Sequence, residues 1–226
     1  VVSVGTDHVA WGFTELFQQG KVTGVTKVIL ALVLSPLIGF WGGFFVHRFV
    51  LGLLRAARPS ANAPLRHAQF LTSAGLAFSH GANDGQKSMG ILTLVLWMGG
   101  FIPAFEVPLW VVLACSVALT LGILSGGWRI VRTLGFAIYR VRPIHALDSQ
   151  IASAAVIFTA SMIGAPVSTT HVVATSIMGI GASERPRAVR WAKAIEIAKT
   201  WVVTMPGSAV MSAVIFALQR GFFGLG

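Results

Sequence analysis

Long runs without a charged residue constrain this chain more than any other feature of its sequence. The first, Val28–Val46, has 19 residues. As an α-helix rising ~1.5 Å per residue it would be long enough to cross the hydrocarbon core of a bilayer. The other apolar stretches are Phe70–Phe78 resumed by Met89–Phe105, Val107–Gly126, Ile151–Gly164 followed by Val172–Ile180, and Thr200–Leu218. Only 11% of the residues are charged, against about 25% in a soluble domain. The pattern predicts an all-α, multi-pass membrane protein and excludes an ordinary soluble enzyme.

The cations are concentrated in three short connectors between the apolar stretches. They are Arg48, Arg55, Arg58 and Arg66; Arg129, Arg132, Arg140 and Arg142; and Arg185, Arg187, Arg190, Lys193 and Lys199. Cytoplasmic loops of membrane proteins carry such an excess. The net charge of +10 therefore reflects membrane topology, and no nucleic-acid partner is expected. If all three connectors are cytoplasmic, residues 151–181 form a re-entrant hairpin of two half-helices with its tip near Ala165–His171.

Two proline-containing stretches resemble each other and are expected to run in opposite directions. Pro36 lies in the first stretch and Pro206, 170 positions later, lies in the last. A basic connector follows the first stretch but precedes the last, which is typical of the inverted-topology repeats of secondary transporters. We therefore expect residues 1–54 to be the tail of an incomplete first repeat and residues 55–226 to be a second repeat, with each helix broken at its proline. Chance similarity between two hydrophobic helices is the alternative.

The second apolar stretch contains a polar run, Ser79–Ser88, with an embedded acid and base. Charged residues within membrane segments are costly and usually functional, which singles out Asp84 and Lys87. Two glycines, Gly81 and Gly85, are expected to let the helix unwind here. The alternative is a buried Asp84–Lys87 pair that neutralises itself.

Oxygen ligands and a histidine accompany this acid–base pair. Asn83 and Asp84 offer the hard oxygen atoms that a sodium ion or a proton site needs. His80 lies four residues before Asp84, but two residues on one helix are only a weak indication of a metal site. The lone Cys115 excludes a multi-cysteine metal site and a disulfide within the chain. No cofactor or resident metal is therefore predicted.

A second polar run, Pro166–His171, places three hydroxyl groups where a half-helix is expected to begin. Ser168, Thr169 and Thr170 would combine with free N–H groups and the positive end of the helix dipole to form an anion site. An ordinary serine or threonine N-cap is the alternative. His171 is either a proton carrier or an interior histidine.

Together, Gly-Ala-Asn-Asp-Gly-Gln-Lys at 81–87 and Pro-Val-Ser-Thr-Thr-His at 166–171 resemble the second half of the PiT family of inorganic phosphate transporters. The first motif is similar to that of the bacterial, proton-coupled branch. The resemblance implies an inverted-repeat carrier of low affinity in the inner cell membrane, working by alternating access. Its implied partners are phosphate, a coupling proton or sodium ion, the bilayer and the first half of the same transporter. A homodimer is one open alternative for the oligomeric state.

The resemblance also assigns roles to residues by position. It places phosphate binding at Ser168, Thr169, Thr170 and Asn83, and the coupling ion at Asp84, Asn83, Lys87 and His171. Sodium-coupled relatives have an asparagine three residues after the aspartate, where this chain has Lys87. Its ammonium would stand where sodium binds, which suits coupling to protons. Whether free phosphate or a metal–phosphate complex is carried stays open.

Two other classes of function compete with transport. A membrane-bound phosphatase or phospholipid enzyme could use His80, Asp84 and His171, with Ser168 as the nucleophile, provided that nucleophile and base lie within reach of each other. A receptor or scaffold would bind phosphate without moving it.

Overall fold

The computed structural model describes residues 24–55 and 62–223, and the regular structure in these ranges is helical. In chain order the α-helices are α1 (Gly24–Leu53), α2 (Asn62–Met98), α3 (Leu109–Arg132), α4 (Pro143–Met162), α5 (Thr169–Glu184) and α6 (Trp191–Phe223). Three helical segments are long and apolar enough to cross a membrane, namely Gly24–Leu53, Leu109–Trp128 and Trp191–Gln219. The predicted all-α, multi-pass membrane fold is confirmed. Residues 1–23 of the predicted first-repeat segment lie outside the described residues.

Helices α4 and α5 form an antiparallel hairpin. Near its middle, the hydroxyls of Ser149 and Ser176 are 2.7 Å apart. The chain turns between Met162 and Thr169, so the predicted interruption within 151–181 is confirmed. Gly164 has a φ of +62° at this turn, in the left-handed region that glycine adopts without steric cost. Residues 163–168 are called the hairpin tip below.

Helix α1 packs against the hairpin through glycines that bring two helix backbones into contact. A Cβ atom on Gly39 would lie only 2.5 Å from the Thr175 hydroxyl. A Cβ on Gly43 would overlap the backbone of Ser176, and one on Gly179 of α5 would overlap the carbonyl of Phe40. Small residues permit this approach between membrane helices. Because the contact is between backbones, α1 and α5 have no free volume along this line.

The three basic connectors meet at one end of the bundle, called the basic end. His47, late in α1, contacts Asp148, early in α4. Gln69, early in α2, donates a 2.6 Å hydrogen bond to the carbonyl of Pro143, and the N–H of Arg190 donates to the carbonyl of Ile138 at 3.0 Å. The described parts of the connectors therefore share one end, as the distribution of cations predicts.

The expected interruption of α2 is not found, because the helix continues through His80–Lys87. Neither Gly81 nor Gly85 has a positive φ. A glycine inside a helix costs only about 1 kcal/mol relative to alanine, which a long helix tolerates. The prediction that the helix unwinds here was wrong.

The two prolines do not interrupt their helices either. Pro36 lies inside α1 and Pro206 lies inside α6. Since proline has no N–H, Pro36 leaves the carbonyl of Leu32 without its usual partner. The buried hydroxyl of Ser35 donates to that carbonyl at 3.2 Å. This replacement bond explains how α1 continues, and the expected breaks at the prolines were wrong.

Candidate functional site

The hairpin tip meets α2 at the polar run that the sequence singles out. The carbonyl oxygen of Val167, in the tip, accepts hydrogen bonds from two side chains of α2. The Asn83 amide donates at 3.0 Å and the Lys87 ammonium donates at 2.6 Å. Asn83 and Val167 are both buried. Helix α2 is therefore joined to the tip through one backbone carbonyl.

The carboxylate of Asp84 lies at the centre of this junction. Its Oδ1 is 3.2 Å from the Lys87 ammonium and accepts from the Asn83 amide at 3.2 Å. Its Oδ2 accepts from the Thr169 hydroxyl at 3.1 Å and is 3.2 Å from Nε2 of His80. The self-neutralising Asp84–Lys87 pair is present, but three further groups, from Asn83, Thr169 and His80, share the same carboxylate.

The junction is buried on one side and open on the other. Thr169 and Asn83 are buried, whereas the side chains of His80, Asp84 and Lys87 are 33%, 29% and 37% exposed. A small polar solute can therefore reach the carboxylate and the ammonium without unfolding of the hairpin tip. This open face separates the site from an ordinary buried ion pair.

The first turn of α5 begins beside Asp84. Ser168 is the N-cap, and its hydroxyl accepts from the N–H of His171 at 3.4 Å, so the N-cap alternative is confirmed for this residue. The N–H groups of Thr169 and Thr170 lie in the first turn, where a helix provides no acceptor. The positive end of the helix dipole points to the same place. An anion at this position would accept hydrogen bonds from the N–H groups and the hydroxyls, and the positive end of the helix dipole would attract it.

Like Ser168, the predicted site residues Thr170 and His171 make none of the contacts with Asp84 described above. Thr170 is exposed at the start of α5. The ring of His171 stacks on Trp201 of α6, with centroids 3.8 Å apart and an interplanar angle of 25°. The Ser168 hydroxyl therefore contacts the backbone of His171 and not its imidazole. The nucleophile–base pair that a hydrolase needs is not formed by these residues.

Sequence reasoning missed the Val167 carbonyl and a second buried acid. A backbone carbonyl has no signature in the side-chain pattern, so nothing marked Val167. Asp148 is fully buried and contacts Nδ1 of His47 at 2.5 Å. The position of Asp148 in the sequence could have indicated its burial, because it lies only three residues before the apolar stretch that begins at Ile151. A helix that starts a few residues before this stretch would include Asp148.

The site lies part of the way along α2. Asp84 is 22 residues after Asn62, or about 33 Å along the helix axis at 1.5 Å per residue. Another 14 residues lead to Met98, which is roughly 21 Å further. The hairpin tip therefore stops well short of the far end of α2.

Comparison with known proteins places the chain beside phosphate transporters. A family model described as the phosphate transporter family matches residues 54–212. A probable low-affinity inorganic phosphate transporter of Bacillus subtilis (strain 168) is 38% identical over 221 residues, covering 97% of this chain and 65% of that protein. Sodium-dependent phosphate transporter 1-B of Danio rerio is 33% identical over 167 residues, covering 72% of this chain and 25% of that protein.

A solved structure shares the fold. It is described as the sodium-dependent phosphate transporter, and its TM-score with this chain is 0.74 at 21% sequence identity. The match covers 97% of this chain and 70% of that chain. The chain spans less than two thirds of the length of the two curated relatives above.

Proposed function

The chain belongs to the phosphate transporter family, whose members are carriers and not enzymes, and we propose that the protein containing it carries inorganic phosphate across the cell membrane with a coupling cation. Transport would be of low affinity and proceed by alternating access. The observation that carries this proposal is the junction of Asp84 with the hairpin tip. A carboxylate, an ammonium, a hydroxyl and the start of a helix lie within hydrogen-bonding distance there.

Phosphate is assigned to the first turn of α5 and its surroundings. Phosphate carries between one and two negative charges near neutral pH, judging from a second pKa of about 6 in its esters. Such a charge needs compensation inside a membrane. The hydroxyls of Ser168, Thr169 and Thr170 and the amide of Asn83, together with the helix N-terminus, provide donors without a fixed arginine. Neutral donors hold the anion weakly enough for release on the other side.

The coupling cation is assigned to Asp84 and the oxygens around it. The Lys87 ammonium lies 2.6 Å from the Val167 carbonyl and 3.2 Å from the Asp84 carboxylate, two oxygens that a cation in its place could bind. We assign Lys87 as a built-in replacement for sodium, with a proton as the coupling ion. His171, which stacks on Trp201, is the second candidate proton carrier. The carried species is free phosphate or its neutral complex with a metal ion.

The arrangement of helices supports the inverted repeat, residues 1–54 and 55–226. Helix α1 ends at the basic end, as the contact of His47 with Asp148 indicates. Helix α6 begins at the same end, beside Ile138. The two proline-containing helices therefore run in opposite directions. We propose that the first half of the same transporter, or a second copy in a homodimer, covers the open face of Asp84 with matching motifs.

Uptake of labelled phosphate into proteoliposomes by the whole protein tests this proposal, with pH and sodium gradients varied separately. We expect a pH gradient alone to drive uptake.

Lys87→Asn should make uptake dependent on sodium, because it removes the ammonium from the proposed cation position. The matched control is Lys193→Asn, since Lys193 pairs with Glu196 at the same spacing, 2.5 Å apart, but on an exposed face. Unchanged sodium-independent uptake by Lys87→Asn would refute the role of Lys87, and binding without uptake would refute transport.

A further inference from the structure

A second cluster of chemically versatile side chains lies at the basic end, far from Asp84. One ligand atom from each of His47, His145 and Glu184 lies within 4.8 Å of the other two. The residues belong to α1, α4 and α5, respectively. Both histidines are buried, and the side chain of Glu184 is 20% exposed. The length of α5, about 24 Å for 16 residues, separates this cluster from the hairpin tip. Two imidazoles and one carboxylate are a frequent ligand set for zinc.

The geometry of His47 prepares one of its nitrogens as a ligand. Nδ1 lies 2.5 Å from Oδ2 of the buried Asp148, so it carries the proton and donates it. Nε2 then has a free lone pair, and it is buried with no hydrogen-bond partner among the described residues. A metal-bound histidine usually donates its other N–H to a carboxylate in this way. Asp148 would therefore orient His47 for a metal.

One oxygen of Glu184 is also held in place. The hydroxyl of Tyr139 donates to Oε2 at 2.7 Å. The same Oε2 lies 2.9 Å from Nε2 of His145, and the guanidinium of Arg142 bonds to Oε1.

Arg142 contacts two of the three proposed ligands, Glu184 and His145. Besides its contact with Glu184, its guanidinium lies 3.1 Å from Nε2 of His145. The Arg142 side chain is 58% exposed, so it can swing into water. Its backbone N–H also donates to Nδ1 of His145 at 3.2 Å. That bond is released when Nε2 binds a metal and the proton moves to Nδ1. A metal ion and Arg142 would therefore compete for Glu184 and His145.

We propose that His47, His145 and Glu184 bind one divalent transition-metal ion, of the zinc type. Ligands of a tetrahedral zinc lie roughly 3.3 Å apart, given bonds of about 2.0–2.1 Å. Since no two of these atoms are more than 4.8 Å apart, no pair needs to close by more than about 1.5 Å once Arg142 leaves. The ion would tie α1 to both arms of the hairpin at the basic end. Because the ligands exist together only in the folded chain, zinc would stabilise the fold. The site is independent of phosphate transport.

Zinc titration of the whole purified protein tests this site, with binding followed by calorimetry and by the unfolding temperature. We expect one zinc ion per chain and an X-ray absorption spectrum with two imidazole ligands. His47→Gln and Glu184→Gln should each weaken binding by at least about tenfold. Arg142→Gln should tighten it by about three- to tenfold, because a competing cation is removed. His67→Gln is the control for adventitious binding, since His67 is exposed and lies outside the cluster.

Arg142→Gln keeps the proposal testable if the buried substitutions prevent folding. Equal zinc affinity of the wild-type protein and of Arg142→Gln would contradict the competition between Arg142 and zinc. Equal affinity in His47→Gln, a loss of zinc in His67→Gln, or a spectrum with only oxygen ligands would overturn the site.

Discussion

Two interfaces of the α4–α5 hairpin differ in what holds them together. Against α1, the hairpin packs backbone to backbone at Gly39, Gly43 and Gly179, and a buried His47–Asp148 contact closes the basic end. Against α2, the tip is held by a few polar bonds to Asp84 and Val167. The first interface is buried and close-packed, whereas the second is partly exposed.

This difference separates a fixed unit from a contact that can change. Close-packed backbones have no alternative arrangement without loss of contact, so α1 should move together with the hairpin. Polar bonds at a partly exposed site can be exchanged for bonds to water or to a ligand. We therefore expect stability to depend on the α1 interface and transport to depend on the α2 interface.

The largest effect is expected from Asp148→Asn at the α1 interface. This change replaces the carboxylate that accepts from Nδ1 of the buried His47 by a neutral amide, and losing a hydrogen bond to a charged group costs about 1.5–3 kcal/mol of unfolding free energy. Denaturant unfolding of the purified protein in detergent measures this change. Glu196→Gln is the control, because the Lys193–Glu196 pair is exposed and worth about 0–1 kcal/mol. Equal stability of the two variants would contradict the comparison.

Gly43→Ala should have the next largest effect. A Cβ at Gly43 overlaps the backbone of Ser176, whereas a Cβ at the neighbouring Gly42 meets the side chains of Val156 and Ala152 at ordinary distances of 3.6 and 4.0 Å. We expect Gly43→Ala to cost about 1–3 kcal/mol through overpacking, and Gly42→Ala to cost little. Thermal unfolding of both variants provides the measurement. A larger loss in Gly42→Ala would show that the backbones are not in contact at Gly43.

At the α2 interface, Thr169→Val should reduce phosphate uptake roughly tenfold, because it removes one of the hydroxyls assigned to phosphate and a hydrogen bond to a charged group is worth about 1.5 kcal/mol or more. The same change removes the 3.1 Å hydrogen bond to Asp84, so we expect a loss of unfolding free energy of about 1.5 kcal/mol, at the lower end of that expected for Asp148→Asn. Thr170→Val is the matched variant, because Thr170 is exposed, and we expect at most about threefold loss. Proteoliposome uptake separates the two. A larger effect at Thr170 would move the phosphate to the outer side of the helix start.

The smallest effect is expected from Ser35→Ala, which removes the donor to the carbonyl that Pro36 leaves unpaired. The expected loss is about 1 kcal/mol, typical of a single hydrogen bond. Ser125→Ala is the control, because its hydroxyl also donates to a carbonyl three residues earlier but on an exposed face without a proline. Calorimetric unfolding of both variants checks this. Equal losses would show that Ser35 has no special role beside Pro36.

The sequence predicted the helical segments and the hairpin because hydropathy and helix length follow from local composition. It did not predict that α2 continues through Gly81 and Gly85. The cost of a glycine is small beside the hydrogen bonding of a helix of 37 residues. The continuity of α1 at Pro36 was missed for a similar reason, since the compensating bond comes from the neighbouring Ser35.

The site was predictable where side chains of unusual type marked it, as at Asp84 and Lys87. Their partners were harder to find. The Val167 carbonyl belongs to the backbone, and the His47–Asp148 contact joins residues 101 positions apart. Contacts of this kind depend on how the helices pack against each other, and the pattern of a single sequence does not show that packing.

The place of the hairpin tip along α2 has an electrical consequence. A charge that enters from the basic end and stops at Asp84 has passed roughly three fifths of that helix, counted at 1.5 Å per residue. The membrane voltage acts on charge in proportion to the fraction of the field it crosses, at about 2.3 kcal/mol per elementary charge for 100 mV. If the proposed solute enters from the basic end, its loading at this site would move charge through part of the membrane field, and occupancy would follow the potential as well as the concentration of the solute.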